Sequence, residues 1–361
     1  MNALLFFGGL ALLVVGANLL VRGAGKLALS LGISPLVVGL TIVAFGTSAP
    51  EVAVSVGAVL DGRTDIAVGN VVGSNIFNVL FILGLSALIA PLVVNVQLIR
   101  QEVPIMIGAS LLLLVLGLDG RISGLDAALL FALLAAYTAF LVVQSRRETQ
   151  AAKDEYAREN VPPEPGAWDA KWPVQVGLVV AGLAALVFGS DALVTAAVAF
   201  AKAMGVSDLV IGLTIVAAGT SMPEVATSVA AAWKGERDIA VGNVVGSSTF
   251  NILGCVGLSG LAGAAGGGEG LALAPSVLNF DIWVMLAVAL ACLPVFITGR
   301  EIARWEGGVF LAYYVAYAAY LVLDAQGHDA LPAYSSVMLG FVVPITVVTL
   351  VVVMLRRPQP G

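Results

Sequence analysis

The chain carries one long stretch twice. Gly39 to Leu88 and Gly212 to Leu261 align without a gap, and about 34 of the 50 paired positions are identical. The first copy reads G-L-T-I-V-A-F-G-T-S-A-P-E and then D-I-A-V-G-N-V-V-G-S-N-I-F-N; the second reads G-L-T-I-V-A-A-G-T-S-M-P-E and then D-I-A-V-G-N-V-V-G-S-S-T-F-N. Each residue of the first copy therefore has a twin 173 positions on. Two copies at so long a period do not make a solenoid, so the chain must be built from two homologous halves.

Composition decides the solvent. The chain is 60% hydrophobic and only 11% charged, with a mean hydropathy of +1.02. Soluble domains carry about 25% charged residues, so this chain belongs in lipid. The net charge of -6 is spread too thinly to mark a partner, and no basic stripe points to nucleic acid. Cys255 and Cys292 lie in separate apolar runs and read as buried, inert thiols. Met1 to Ala24 lacks the basic start of a signal peptide and reads as a first membrane helix, followed by Arg22 and Lys26 near its end.

Eleven apolar spans follow, each near the roughly 20 residues a bilayer needs: 3–22, 34–60, 66–90, 102–118, 123–144, 173–201, 208–232, 239–263, 281–298, 304–323 and 332–355. The repeated stretches supply the second, third, seventh and eighth. Residues 145–172, rich in charge and containing Pro162, Pro163 and Pro165, form a polar linker. With the N-terminus outside, about 14 Lys and Arg fall on inner segments and about 3 on outer ones. This predicts a multi-pass protein of the cell membrane with a cytoplasmic linker. Five spans per half is an odd number, so the second copy is inverted relative to the first. The expected fold is an all-α integral membrane protein with two inverted repeats of five helices, residues 1–144 and 173–325. An extra C-terminal helix and tail occupy 326–361. Homologous inverted halves in a membrane chain are the signature of a secondary transporter.

Glu51 and Glu224, twins, fall inside apolar spans. A carboxylate at the bilayer centre costs about 3 kcal/mol on insertion scales, so two at equivalent points call for a cation or proton. Pro50 and Pro223 lack an N–H and are expected to free the carbonyls of Gly46 and Gly219 one turn earlier, and to bare those of Ala44, Thr47, Ala217 and Thr220 nearby. Thr47 shares a helical face with Glu51, and Thr220 shares one with Glu224. On the next helices Ser74 lies four residues from Asn78, and Ser247 four from Asn251. Hydroxyl, amide and carboxylate oxygens suit Na⁺ and Ca²⁺, not soft metals. Gly69, Gly73, Gly242 and Gly246 read as close-packing positions. Asp65 and Asp238 read as N-terminal caps, Asp191 as a cross-helix hydrogen-bonding residue, and His328, the single histidine, as a loop residue.

G-T-S-A-P-E at Gly46–Glu51 with G-S-N-I-F-N at Gly73–Asn78, and G-T-S-M-P-E at Gly219–Glu224 with G-S-S-T-F-N at Gly246–Asn251, resemble the two alpha-repeats of the calcium/cation antiporter superfamily. The resemblance covers about residues 1–325 and is strongest to prokaryotic sodium/calcium exchangers. It implies a ten-helix inverted-repeat core whose central sites hold three Na⁺ or one Ca²⁺ in alternation. The long first helices of each half would slide to switch access. By motif it implies as ligands Thr47, Ser48, Glu51, Ser74 and Asn78 with the Ala44 carbonyl, and Thr220, Ser221, Glu224, Ser247 and Asn251 with the Ala217 carbonyl. Many relatives, potassium-dependent ones included, carry aspartate where this chain has Asn251. Two formal charges in the cage therefore argue against potassium co-transport. The linker is too short for the calcium-sensing domains of animal exchangers.

The expected activity is electrogenic exchange of Na⁺ for Ca²⁺ by alternating access, with a proton/calcium antiporter (or one for another divalent cation) on the same cage as the alternative. A channel is disfavoured by the inverted repeat. An enzyme is disfavoured because the chain has no H-E-x-x-H, no serine–lysine arrangement with a catalytic rationale and no G-x-x-x-x-G-K-[ST] loop. The expected partners are the transported ions and the bilayer, with no prosthetic group, no nucleic acid and a monomeric state.

Overall fold

The structure, a computed structural model, describes residues 2–31, 33–146, 168–169, 171–204, 217–268 and 270–355. Its helices are α1 (Asn2–Leu31), the bent α2 (Pro35–Thr47 and Ala49–Leu60), α3 (Thr64–Ile89), α4 (Leu98–Asp119) and α5 (Gly124–Ser145). The second half has α6 (Trp172–Ala203), α7 (Met222–Lys234), α8 (Arg237–Ala265), α9 (Val277–Ile297) and α10 (Arg304–Ala325), followed by α11 (Leu331–Val353). Among the described residues nine helices are long and apolar enough to cross a membrane, ten with α2. Residues 205–216, which include the first part of the expected seventh span (208–232), and most of the linker lie outside the described residues. The other boundaries fall within a few residues of expectation, except that α1 runs nine residues past its predicted end at 22.

The extension of α1 has an electrostatic cause. Its last turns carry Arg22 and Lys26, and both meet the covered carboxylate of Asp169, at 2.6 and 2.5 Å. The Arg22 guanidinium also lies 5.0 Å from the Trp168 ring centroid. This clasp neutralises the basic end of the helix and ties it to the residues that enter α6.

Four two-residue strands establish the inverted symmetry. β1 (Leu92–Val93) follows α3, β2 (Arg121–Ile122) follows α4, β3 (Leu271–Ala272) follows α8 and β4 (Glu301–Ile302) follows α9. β1 pairs antiparallel with β4, and β2 with β3, so each half lends a strand to each ribbon. Arg304 reaches the Ile89 carbonyl on the β1–β4 face, while the Ala272 N–H donates to Thr64 Oγ1 on the β2–β3 face. The turn between α2 and α3 thus lies on the β2–β3 face. Its twin between α7 and α8 lies on the other, where Gly25 of α1 is close to Glu236. Both turns hinge on a glycine in the left-handed region, Gly62 at φ 78° and Gly235 at φ 80°, which a side chain would strain.

α1 and α6 pack antiparallel along their length on small residues spaced by seven. A Cβ on Gly9 would sit 2.8 Å from the Gly189 carbonyl oxygen, one on Gly16 2.8 Å from that of Gly182, and one on Gly23 2.9 Å from that of Gln175. Contact this close is the usual means of helix association in lipid, where apolar burial gives no preference for a neighbouring helix. A second symmetric device joins the outer helices. Tyr137 on α5 donates to buried Glu102 on α4 at 2.6 Å, and Tyr317 on α10 donates to Asp281 on α9 at 2.8 Å. Glu102 also accepts from Gln97 and Gln101. α11 is held to α10 by Tyr313 Oη to Thr346 Oγ1 at 2.6 Å and Tyr334 Oη to the Ala316 carbonyl at 2.7 Å.

Candidate ion-binding site

α2 breaks at Ser48, whose backbone (φ -82°, ψ 6°) turns the two arms by 42°. Pro50 stands in the first turn of the second arm, where its missing N–H would have had no helical partner in any case. Glu51 follows in the same turn. In the twin, α7 opens at Met222 directly after Ser221, with Pro223 and Glu224 in its first turn. Both carboxylates therefore sit at the positive end of a helix, and both are fully buried.

The two halves exchange hydrogen bonds at this point. Ser48 Oγ donates to Glu224 Oε1 at 2.9 Å, and Ser221 Oγ donates to Glu51 Oε1 at 2.7 Å. Ser221 Oγ also lies 3.3 Å from Ser74 Oγ, which brings α3 into the cluster. Ser247 on α8 reaches the Ala44 carbonyl at 3.4 Å. Each carboxylate thus spends one oxygen on the opposite half. The other oxygens, Glu51 Oε2 and Glu224 Oε2, are buried without a hydrogen-bond partner, as are both amide atoms of Asn78 and Thr220 Oγ1. An unpaired buried polar atom costs about 1–3 kcal/mol, so these orphaned atoms, on α2, α3 and α7 and at Thr220 just before α7, form a buried set whose oxygens could hold a cation.

Two expectations about the backbone change. The Ala44 carbonyl is not bared by the break: it accepts the Ser48 N–H at 3.1 Å and lies 3.4 Å from Thr47 Oγ1, because the proline falls beyond the bend. The Gly219 carbonyl is taken by Ser190 Oγ of α6 at 2.6 Å, whereas the twin of Ser190 on α1 is Ala17, which has no hydroxyl. Ala217 opens the short helical turn Ala217–Gly219. Asn78 and Asn251 each begin a segment of wider π-helical winding, Asn78–Leu83 and Asn251–Val256, a winding that recurs at functional sites. Asn251 differs from its twin: its Nδ2 donates to Asn75 Oδ1 at 3.1 Å, and Cys255 Sγ donates to its Oδ1 at 3.5 Å.

The remaining sequence readings divide. Asp65 and Asp238 occupy the first turns of α3 and α8, favourably for the dipole, but the cap positions belong to Arg63 and Glu236. Asp191 is exposed on α6. His328 is in the turn after α10, its Nδ1 accepting the Ala330 N–H. Cys255 and Cys292 are free and buried. Gly242 and Gly246 do provide close approach, to Leu36 and Leu40 of α2. The sequence reading missed a polar layer beside the cluster. Thr47 Oγ1 donates to Asn243 Oδ1 at 3.1 Å, Asn243 Nδ2 to Ser228 Oγ at 2.9 Å, and Asn70 Nδ2 to Ser55 Oγ at 3.1 Å. The signal was available, since Asn70 and Asn243 are twins, and so are Ser55 and Ser228.

Among the described residues no group of three or more His, Cys, Asp or Glu could hold a metal, and neither Glu51 nor Glu224 has an ion-pair partner. The cluster is two carboxylates among hydroxyls and amides, a hard-oxygen set. The family description "Sodium/calcium exchanger protein" matches residues 1–143 and 174–323, the two halves without their linker. The chain belongs to the sodium/calcium exchanger protein family. The sodium/calcium exchanger MaX1 of Methanosarcina acetivorans is 35% identical over 89% of this chain and 98% of its own. The inner membrane protein YrbG of Escherichia coli is 38% identical over 78% and 84%. A solved structure of the sodium-calcium exchanger NCX_Mj, soaked with Na⁺ and Sr²⁺, superposes with a TM-score of 0.74 at 30% identity over 88% of this chain and 97% of that one. This member of the exchanger family thus has the inverted all-helical architecture, with α11 added to the ten-helix core. Its buried oxygen cluster lies where the two halves meet.

Proposed function

We propose that this chain is an electrogenic antiporter that moves Na⁺ down its gradient to drive Ca²⁺ across the membrane. Thr47, Ser48, Glu51, Ser74 and Asn78, with Thr220, Ser221, Glu224, Ser247 and Asn251, form the cage, joined by the carbonyls of Ala44 and Ala217. The observation that carries the reading is the pair of fully buried carboxylates with no Lys or Arg partner among the described residues, each bonded through one oxygen to a serine of the opposite half. Glu51 and Glu224 neutralise one Ca²⁺; three Na⁺ in the same cage leave one positive charge in excess. The two loaded forms therefore respond differently to voltage, by about 2.3 kcal/mol per charge per 100 mV. Mg²⁺ should be a poor substrate, because it dehydrates reluctantly and demands a smaller octahedron. Protons compete for the same carboxylates, so exchange weakens on acidification.

In this reading the N-terminus, the β2–β3 ribbon and the turn at Gly62 face outside, and the linker and the β1–β4 ribbon face the cytoplasm of a cell-membrane protein; the distribution of basic residues supports that orientation. The test is Ca²⁺ uptake into Na⁺-loaded proteoliposomes diluted into Na⁺-free buffer, with and without a K⁺ diffusion potential. Uptake that requires internal Na⁺ and shifts with voltage is expected. Uptake indifferent to Na⁺ but driven by a pH gradient would replace the reading with proton/calcium antiport.

A further inference from the structure

The polar layer beside the cage is formed unequally in the two halves, although its residues are the same. On the β1–β4 side the chain of bonds is complete: Thr47 Oγ1 to Asn243 Oδ1 at 3.1 Å, then Asn243 Nδ2 to Ser228 Oγ at 2.9 Å. All three residues are buried, Asn243 and Ser228 fully. On the β2–β3 side Asn70 donates to Ser55 at 3.1 Å, as its twin does to Ser228. The link from the cage is missing, because Thr220 Oγ1, the twin of Thr47 Oγ1, is buried with no partner, and Asn70 is half-buried.

The long helices show the same inequality. Lys234 Nζ at the end of α7 bonds the Asn18 carbonyl of α1 at 3.2 Å. Thr227 on α7 is fully buried, while its twin Val54 on α2 is 42% exposed. The α1–α6 pair therefore leans on α7, while Val54 on the second arm of α2 is left exposed.

We infer that Asn243 and Asn70 are alternating latches: Thr47–Asn243 closes the β1–β4 side in the state seen here, and Thr220–Asn70 closes the β2–β3 side when the halves exchange conformations. The inference rests on the alternating-access reading above. Inverted twins related by a two-fold axis interconvert by trading conformations, so a bond present in one half and broken in the other is the bond that must change partners. Thr47 and Thr220 belong to the proposed cage, so each latch couples ligand position to closure. Asn70 and Asn243 are positioning residues that act through these threonines. The same exchange carries Asn18 and Lys234 apart and brings their twins Asp191 and Asp61 together.

The test is crosslinking of the full chain in proteoliposomes with a short bifunctional maleimide, using two reporter pairs. Asn18→Cys with Lys234→Cys reports the state seen here, and Asp61→Cys with Asp191→Cys reports the exchanged one; Cys255 and Cys292 are buried. Asn243→Leu is expected to lower the first yield and raise the second by about two- to tenfold, the population change that one hydrogen bond commands. Asn70→Leu is expected to do the reverse. Opposite signs are the signature, because loss of a merely structural bond would move both variants the same way. Shifts of the same sign, or none, overturn the latch; should Asn243→Leu fail to fold, the sign of the Asn70→Leu shift decides alone. Crosslinking needs no ion gradient, so a protein that exchanges Na⁺ for Ca²⁺ yet shows no opposed shifts refutes the latch and leaves the proposed function intact.

Discussion

Gly246→Ala puts the packing beneath the cage to a direct test. A Cβ there would lie 2.7 Å from Leu40 Cα and the Leu40 carbonyl oxygen and 2.9 Å from Ala44 Cβ. Carbon atoms rest at about 3.5–4.0 Å, so the first arm of α2 must retreat by about 1 Å. No flexible side-chain end is available to absorb the shift, since the clashing atoms of Leu40 are backbone. Overpacking of this kind costs about 1–3 kcal/mol. The displaced arm carries Thr47 and ends at Ser48, both proposed ligands, and Ca²⁺ coordination tolerates only about 2.3–2.6 Å. If most of about 2 kcal/mol falls on the ion-loaded state, the KM for Ca²⁺ rises about thirtyfold. The assay is Na⁺-driven Ca²⁺ uptake over a range of Ca²⁺ concentrations, with thermal unfolding in detergent alongside. Gly8→Ala is the control, because a Cβ at Gly8 meets no atom of the described residues within 4 Å. Wild-type KM and unfolding temperature in Gly246→Ala would refute the claim that this glycine sets the position of the cage.

Further outcomes follow from the same geometry. Glu51→Gln combined with Glu224→Gln should abolish Ca²⁺ uptake while the protein still elutes as a monodisperse species; full uptake would remove both residues from the cage. Gly9→Leu should separate α1 from α6 and lower the unfolding temperature markedly, while Gly8→Leu should leave it unchanged. Tyr137→Phe strips a bond from the buried Glu102 carboxylate and should lower stability by about 1.5–3 kcal/mol, with Tyr317→Phe doing the same at Asp281; denaturation showing no loss in either would dismiss these pairs as helix staples. Lys26, with Arg22, holds the Asp169 carboxyl below its ordinary value. A depressed folded-state value means that the contribution is fully present above the unfolded value, about 3.9, and is lost only as pH falls through the folded one. Trp168 fluorescence should therefore report an intact clasp from pH 8 to about pH 5 and release only below about pH 4, whereas Asp169→Asn should release it at every pH.

The sequence by itself determined the solvent, the bounds of most spans, the inverted halves and the central acids. Each is written locally: a run of apolar residues has the length of a bilayer whatever it packs against, and an odd number of crossings inverts the second copy wherever the helices lie. The repeat also identified Glu51 and Glu224, because an acid that recurs at the same point of two membrane spans cannot be a chance defect. Tertiary structure decided what touches what across some 170 residues of chain. Nothing local to Ser48 or Ser221 says that each serves the other half's glutamate, or that Ser190 caps the Gly219 carbonyl where Ala17 cannot. The Glu102–Tyr137 and Asp281–Tyr317 pairs were hidden because they lie outside the repeated stretch, where the twins have diverged to different acids. The inequality between Asn243 and Asn70 lies beyond any sequence reading, since identical residues in identical contexts differ only when the folded halves occupy different conformations. The alternating-access reading proposed above requires that inequality: one sequence repeated twice would expose its proposed site to only one side at a time.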